Sequence, residues 1–253
     1  MKIEFLNKIF VQFFNSINNG VFSVIPNKNY SYGIAIIIVT ILIKIVLIPL
    51  NVKAIKSNVG MTKMQPLVKE LQKKYKNDPQ KLQQETMKLY KENNVSMFGG
   101  CLPMLIQWPV LAALYYVFFT LHLENVSFLW IKNLNGHASF NDISTVILPI
   151  LSAATTYLSG IVLMPKNADP AQVKQTTTMN IGMSIFLLFM SWNLSAALVL
   201  YWVVSNLFQM IQTKTIMVLV ESKEQKNNII TENAVDKVIK SDEVVNKKSR
   251  RKK

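Results

Sequence analysis

YGIAIIIVTILIKIVLIPL, residues 32–50, is an apolar run with one charge, Lys44, and no other until Lys53. A bilayer core of ~30 Å is crossed by a helix of ~20 apolar residues, so the stretch reads as a membrane span with an ammonium toward one end. Half of the 253 residues are apolar, and the apolar runs are separated by lysine-rich stretches, the distribution of a membrane protein. Further apolar runs fall at about 101–121, 143–164, 177–192 and 194–220, the last two parted by a short turn at Asn193. Backbone groups in lipid must be satisfied within their own segment, so each run is expected to be helical. The expected fold is an all-α polytopic membrane protein whose core, residues 31–220, holds five transmembrane helices around a hydrophilic groove.

Orientation follows from lysine placement, because short loops rich in Lys and Arg stay in the cytoplasm. Between Asn51 and Gly100 there are ten lysines against four acids, and the tail, residues 221–253, also has more bases than acids. Both are expected inside, as is the connection carrying Lys166 and Lys174. The stretch from His122 to Asp142, with Lys132 against Glu124 and Asp142, suits the outside. The expected location is the bacterial plasma membrane, with the N-terminus outside and the C-terminus cytoplasmic.

The net charge of +14 is mostly the charge of these inside segments. Residues 246–253, NKKSRRKK, exceed what topology needs and suit anionic lipid or RNA; a solvated disordered tail fits them as well. Cys101 stands alone, so no intramolecular disulfide or thiolate metal site is expected. In residues 1–30, Ile3, Leu6, Phe10, Phe13 and Ile17 recur at helical spacing, as in an interfacial amphipathic helix outside the membrane. Glu4, the polar NSINNG at 15–20 and the lack of a small-residue cleavage site weaken the competing reading as a signal peptide.

Residues 63–93 divide at NDP into two helical halves, with Asp78 placed to cap and Pro79 at the first helical position. Met64, Leu67, Leu71 and Tyr75 form one apolar stripe, and Leu82, Thr86 or Met87, and Leu89 another, the pattern of a helical hairpin. It serves either as a spacer or as a docking arm.

Each expected span carries a polar stripe: Thr40, Lys44 and Asn51 in the first; Gln107 in the second; Ser152, Thr155, Thr156 and Ser159 in the third. Asn180, Ser184 and Ser191 follow in the fourth, and Tyr201, Trp202, Ser205, Asn206, Gln209 and Gln212 in the fifth. Five such stripes can enclose a hydrated cavity. The plainer alternative is that these side chains bond neighbouring helices, for ~0.6–2 kcal/mol each, and that Lys44 snorkels to the headgroups. No acidic residue lies in any expected span, and no phosphate-binding glycine loop occurs, so neither cation-coupled transport nor nucleotide-driven pumping is supported. No cofactor, metal or enzymatic bond chemistry is expected.

PQKLQQETMKLYKENNVSMFGGCLPMLIQWPVLAALYY at 79–116, with IPLNVKAIKS at 48–57 and LSAALVLYWVVSNLFQMIQT at 194–213, resembles the YidC family of membrane protein insertases, relatives of the mitochondrial Oxa proteins. The resemblance covers nearly the whole chain. It implies a five-span core whose groove opens to the cytoplasm and the lipid, and a function of inserting nascent membrane proteins, alone or beside the Sec translocon. It implies that the groove's positive charge falls on Lys44, its glutamine on Gln107 and its aromatic pair on Tyr201 and Trp202. The family pattern has arginine at the Lys44 position; lysine keeps the charge and loses the planar fork. The expected substrate-contacting set is completed by Thr40, Ser152, Thr155, Asn180, Ser184, Ser205, Asn206 and Gln209. Expected partners are nascent chains, lipids, the translocon and, through the basic tail and hairpin, the ribosome; one groove per chain suits a monomer. A small channel or transporter, or a scaffold for other membrane proteins, are the alternatives that hydropathy and stripes leave open.

Overall fold

A computed structural model describes residues 2–93, 95–96, 102–121, 123, 125–162, 164, 170–220 and 222. Among the described residues the chain is helical, apart from the isolated bridges Phe128–Ile131 and Ser139–Asp142. The helices are α1 (Lys2–Val24), α2 (Lys28–Val46), α3 (Ile48–Lys74), α4 (Pro79–Glu92), α5 (Leu102–Thr120), α6 (Ile143–Val162), α7 (Pro170–Asn193) and α8 (Ala196–Val220). Met1–Thr213 form one compact unit and Lys214–Lys253 a second; every side-chain relation described below lies within the first. The basic tail, Lys166 and Cys101 lie outside the described residues.

The run expected as one span over 32–50 is two helices. α2 starts earlier, at Lys28, where the Asn27 side chain accepts from Asn29 N at 3.0 Å. It stops at Val46 because Pro49 has no N–H for the carbonyl four residues back, Ile45. Leu47 closes α2 by donating its N–H to Ile43 O at 3.1 Å and serves as the first cap of α3. Pro49 then sits in the first turn of α3, where the missing N–H has no partner to lose.

α2, α6 and α8 are long and apolar enough to cross a membrane; the apolar part of α5, Leu105–Thr120, is shorter. α7 covers the expected run 177–192 but begins in the polar PAQVKQTTT. α6 and α7 pair most extensively. Gly160 lets them close: a Cβ there would strike the Asn180 side chain, whose Nδ2 donates to Tyr157 O at 2.9 Å.

The hairpin is α3 and α4, and Asp78 accepts from Lys81 N at 3.0 Å as its cap. Of the expected stripes Met64, Leu71, Tyr75, Leu82, Thr86 and Leu89 are half-buried, and Leu67, Leu71 and Leu89 line the space between the arms. Val68 and Tyr90 are buried more deeply, while Leu67 is 42% and Met87 44% exposed. On α1, Phe10 and Ile17 of the expected stripe pack against the core, with Phe14 rather than Phe13 as the fully buried aromatic between them, edge-on to Phe118 and stacked on Tyr32. α1 therefore contributes to the core, packing on α2 and α5.

That core gathers at the end of the bundle nearest the α5–α6 connection. Leu123, Val126, Phe128, Ile131 and Leu134 of the connection join Ala35, Ile36 and Val39 of α2, Leu114, Val117 and Phe118 of α5, and Ala197 to Tyr201 of α8. Backbone bonds lock it: Leu134 N donates to Val126 O at 2.8 Å and Ala197 N to Leu134 O at 2.8 Å. Gly33 of α2 leaves room for the Phe128 ring, and Ser127 N donates to Asn29 Oδ1 at 3.0 Å.

Gly160→Ala should lower the thermal midpoint of the purified protein by roughly 2–10 °C, for ~1–3 kcal/mol of overpacking, and Gly160→Ala/Asn180→Ala should recover much of it. A midpoint unchanged by Gly160→Ala would show that α6 and α7 do not depend on this contact. Asp142, just before α6, accepts from Lys132 Nζ at 2.7 Å and from Ser144, and the Lys132 bond is the largest cause holding its carboxyl down from 3.8 to about 2. With the folded value depressed, the clamp is at full strength above about pH 4 and is lost as pH falls through about 2. Amide exchange at Ser144 and Thr145, corrected for intrinsic pH dependence, should therefore stay constant from pH 7 to 4, and Asp142→Asn should accelerate it at pH 7.

Candidate functional site

Lys44 occupies the last turn of α2, where a cation faces the negative end of the helix dipole. Its side chain turns inward instead of reaching for water: the residue is 7% exposed and its Nζ donates to Gln209 Oε1 of α8 at 3.4 Å, a long hydrogen bond. One turn past the break at Leu47, Asn51 Nδ2 donates to Gln212 Oε1 at 3.1 Å. Gln209 Nε2 in turn donates to Thr213 Oγ1 at 3.2 Å. The kinked α2–α3 unit is thus tied to α8 by two polar pairs on either side of the kink. Among the described residues no carboxylate pairs with Lys44, and no Asp or Glu occurs between Glu4 and Glu70.

These groups line an open cavity of about 360 Å³. The polar part of its lining is Lys44, Asn51 and Asn58 from α2 and α3, Gln107 from α5, Thr156 from α6, and Ser205, Asn206 and Gln209 from α8. Trp202 also lines it. The apolar part, the apolar wall below, is Leu47, Ala54 and Ile55 between these polar positions, Ile106, Trp108 and Leu111 of α5, and Met183, Phe186, Leu187 and Met190 of α7. Such a cavity offers hydrogen bonds from one part of its lining and an apolar surface from the rest. No residue of the α5–α6 connection lines it among the described residues.

Of the residues expected to meet a substrate, Lys44, Gln107, Trp202, Ser205, Asn206 and Gln209 are brought together on the cavity. The others stand behind it. Tyr201 is fully buried and accepts from Gln107 Nε2 at 2.6 Å, so it orients the glutamine rather than lining the cavity. Thr155 accepts from Asn206 Nδ2 at 3.3 Å, and its neighbour Thr156 takes the shorter bond at 2.8 Å and faces the cavity. Ser152 pairs with Ser191 at 3.1 Å, joining α6 to α7. Thr40 and Ser184 return their hydroxyls to their own helices, on Ile36 O at 2.6 Å and Asn180 O at 2.8 Å. Asn180 serves the α6–α7 contact. For these the interhelical or intrahelical bond is what the polar atom does, since each stripe must satisfy its own donors once out of water.

The apolar wall was not foreseen as part of the site. Met183 and Met190, seven residues apart with Phe186 between them, share one face of α7, and that spacing is the signal that was available. Flexible thioether side chains adapt to apolar surfaces of varied shape.

Comparison with known proteins agrees along most of the chain. The family model described as 60Kd inner membrane protein matches residues 24–224. The membrane protein insertase YidC of Clostridium acetobutylicum is 59% identical over 244 residues, covering 93% of this chain and 96% of that one. That of Clostridium tetani is 49% identical over 224 residues, covering 88% and 96%. Among solved structures, an active YidC insertase crystal structure with the first transmembrane domain resolved aligns with a TM-score of 0.63 at 27% identity, over 82% of this chain and 46% of that one. With the family model matching well over half of its length and these relatives matched almost end to end, the chain belongs to the 60Kd inner membrane protein family, which includes the YidC membrane protein insertases.

Proposed function

We propose that the chain inserts nascent membrane proteins by drawing a polar end of the client into the α2–α5–α8 cavity while the client's apolar helix lies on the α5–α7 wall. Membership in the insertase family makes nascent membrane proteins the substrates and a bacterial membrane the setting of this multi-pass protein. The observation that carries the groove reading is the Lys44 ammonium, buried on a cavity wall with amides and, among the described residues, no carboxylate beside it.

A charged client segment meets a cost of ~2.5–3.5 kcal/mol per ionised residue at the bilayer centre. A hydrated cavity reaching partway in shortens the dry path. Lys44 supplies the missing counter-charge for an acidic client residue, and Gln107, Ser205, Asn206 and Gln209 replace part of its water. The client helix gains about 25 cal/mol for each Å² of apolar surface it buries in lipid, which drives the process without bond chemistry or ATP. Tyr201 acts through Gln107, and Trp202 is the aromatic contact within the cavity.

In this reading the lysine-rich α3–α4 hairpin and the C-terminus are cytoplasmic and the N-terminus is outside, supported by the placement of lysines. A cavity open only toward that cytoplasmic side is the reading supported by the buried apolar cluster that joins the α5–α6 connection to α2, α5 and α8, and it disfavours a conducting path through the chain. One cavity is built within one chain, so a monomer suffices, alone or beside the Sec translocon. Residues 246–253 and the hairpin lysines suit ribosomal RNA phosphates.

Photo-reactive groups at Gln107 and Trp202 should crosslink a ribosome-bound single-span client, and the same group at Thr40 or Ser184 should not; the opposite pattern would displace the groove. In a strain depleted of its own insertase, Lys44→Ala should reduce insertion of clients with acidic translocated ends by about 10-fold or more, the worth of a charge-assisted bond of ~1.5–3 kcal/mol, while Lys44→Arg should not. Equal rescue by all three would return Lys44 to a purely structural role.

A further inference from the structure

The turn Phe128–Ile131 in the α5–α6 connection is built unusually. Phe128 N donates to Ile131 O at 2.8 Å and Ile131 N donates to Phe128 O at 2.9 Å, so Leu129 and Trp130 are the two residues of a tight hairpin tip. Leu129 has φ 53°, the left-handed region that such turns give to glycine or asparagine. A leucine there costs ~1–2 kcal/mol of backbone preference and recovers nothing by burial, since it is 63% exposed. Trp130 beside it is also exposed. The flanking Phe128 and Ile131 are buried, with Phe128 seated over Gly33 and edge-on to Tyr30. The tip is thus held outward by a rigid base.

The Lys132–Asp142 pair links the tip to the start of α6. Lys132, two residues past Trp130, is bonded to Asp142, which immediately precedes α6. α6 is long and apolar enough to span the membrane, and Ile147 and Ile150 are exposed along it. That exposed surface continues past the helix start: Ile143 is 80% and Phe140 84% exposed, and the Phe140 ring lies 4.3 Å from that of Trp192 at the end of α7. Trp, Phe and Lys at the entry of a spanning helix are the composition of a membrane interface.

We propose that the Leu129–Trp130 turn is a lipid wedge, seated in the headgroup–acyl boundary of the leaflet on that side, with Phe140 and Trp192 in the same layer. The occupant is lipid because the exposed apolar surface of the connection is continuous with that of a spanning helix. The wedge sets how deep the bundle sits, and with it the depth of the cavity floor. It requires only that α6 spans the bilayer and does not rest on the role given to Lys44.

The test is nitroxide accessibility of the full chain in a Cys101→Ser background, reconstituted alone in vesicles of phosphatidylethanolamine and phosphatidylglycerol. Single labels go at Leu129→Cys, at Gln84→Cys on the hairpin as the water reference, and at Ile150→Cys as the lipid reference. At 129, collision with a water-soluble nickel chelate should fall several-fold below that at 84 and collision with oxygen should rise toward that at 150. A label at 129 as open to the chelate as that at 84 would overturn the proposal. So would protection that appears in native membranes but not in protein-only vesicles, which would assign the tip to a protein partner. Leu129→Asn/Trp130→Ser, with asparagine at home at positive φ, should keep the fold by thermal midpoint and move a label at Ile143→Cys toward water; an unmoved label would count against the wedge.

Discussion

A positive charge out of bulk water, with no negative partner among the described residues, is the constraint around which this molecule is arranged. Moving an ammonium into a dry apolar medium is prohibitive, so a lysine at the Lys44 position requires amide oxygens, water or a visiting anion. Gln209 supplies one oxygen at 3.4 Å, too long a contact to satisfy the charge alone. The cavity exists because the surrounding side chains do not close over that point. Asn51, Asn58, Gln107, Ser205 and Asn206 line it with polar groups.

The kink at Leu47 is part of the same solution. A straight helix from α2 into α3 would continue the face of Lys44; the Pro49 break re-aims the chain so that Asn51 meets Gln212 while Lys44 meets Gln209. The opposite end of the bundle is treated in the reverse manner. There Leu123, Val126, Phe128, Ile131 and Leu134 fill the space between α2, α5 and α8 with apolar side chains.

Five of the helices were legible as apolar runs, and the hairpin was legible from Asp78 and Pro79, because hydropathy, capping and proline act locally. The register of faces was not. Phe14 rather than Phe13, and Val68 rather than Leu67, became the buried positions, since one residue on a helix is a rotation of ~100° and the partner helix decides which side is inside. The polar stripes show the same limit. Ser152, Thr155, Asn180 and Ser184 look like Ser205 and Asn206 in sequence, yet the first group satisfies itself on α6 and α7 and the second faces the cavity.

By itself the sequence determined the helical, membrane-embedded character of the chain, the charge of Lys44 inside its first apolar run, and, through the motifs from Pro79 to Tyr116, the insertase family. Those properties reside in composition, spacing and order, which are one-dimensional. Only the tertiary structure decided that Lys44 points inward to Gln209, that Tyr201 stands behind Gln107, that Met183 and Met190 complete the apolar wall, and that the α5–α6 connection plugs one end. Each of these depends on how far one helix is rotated and displaced against another. That is set by the summed packing of many side chains distant in sequence, such as Phe128 on Gly33 and Asn180 over Gly160.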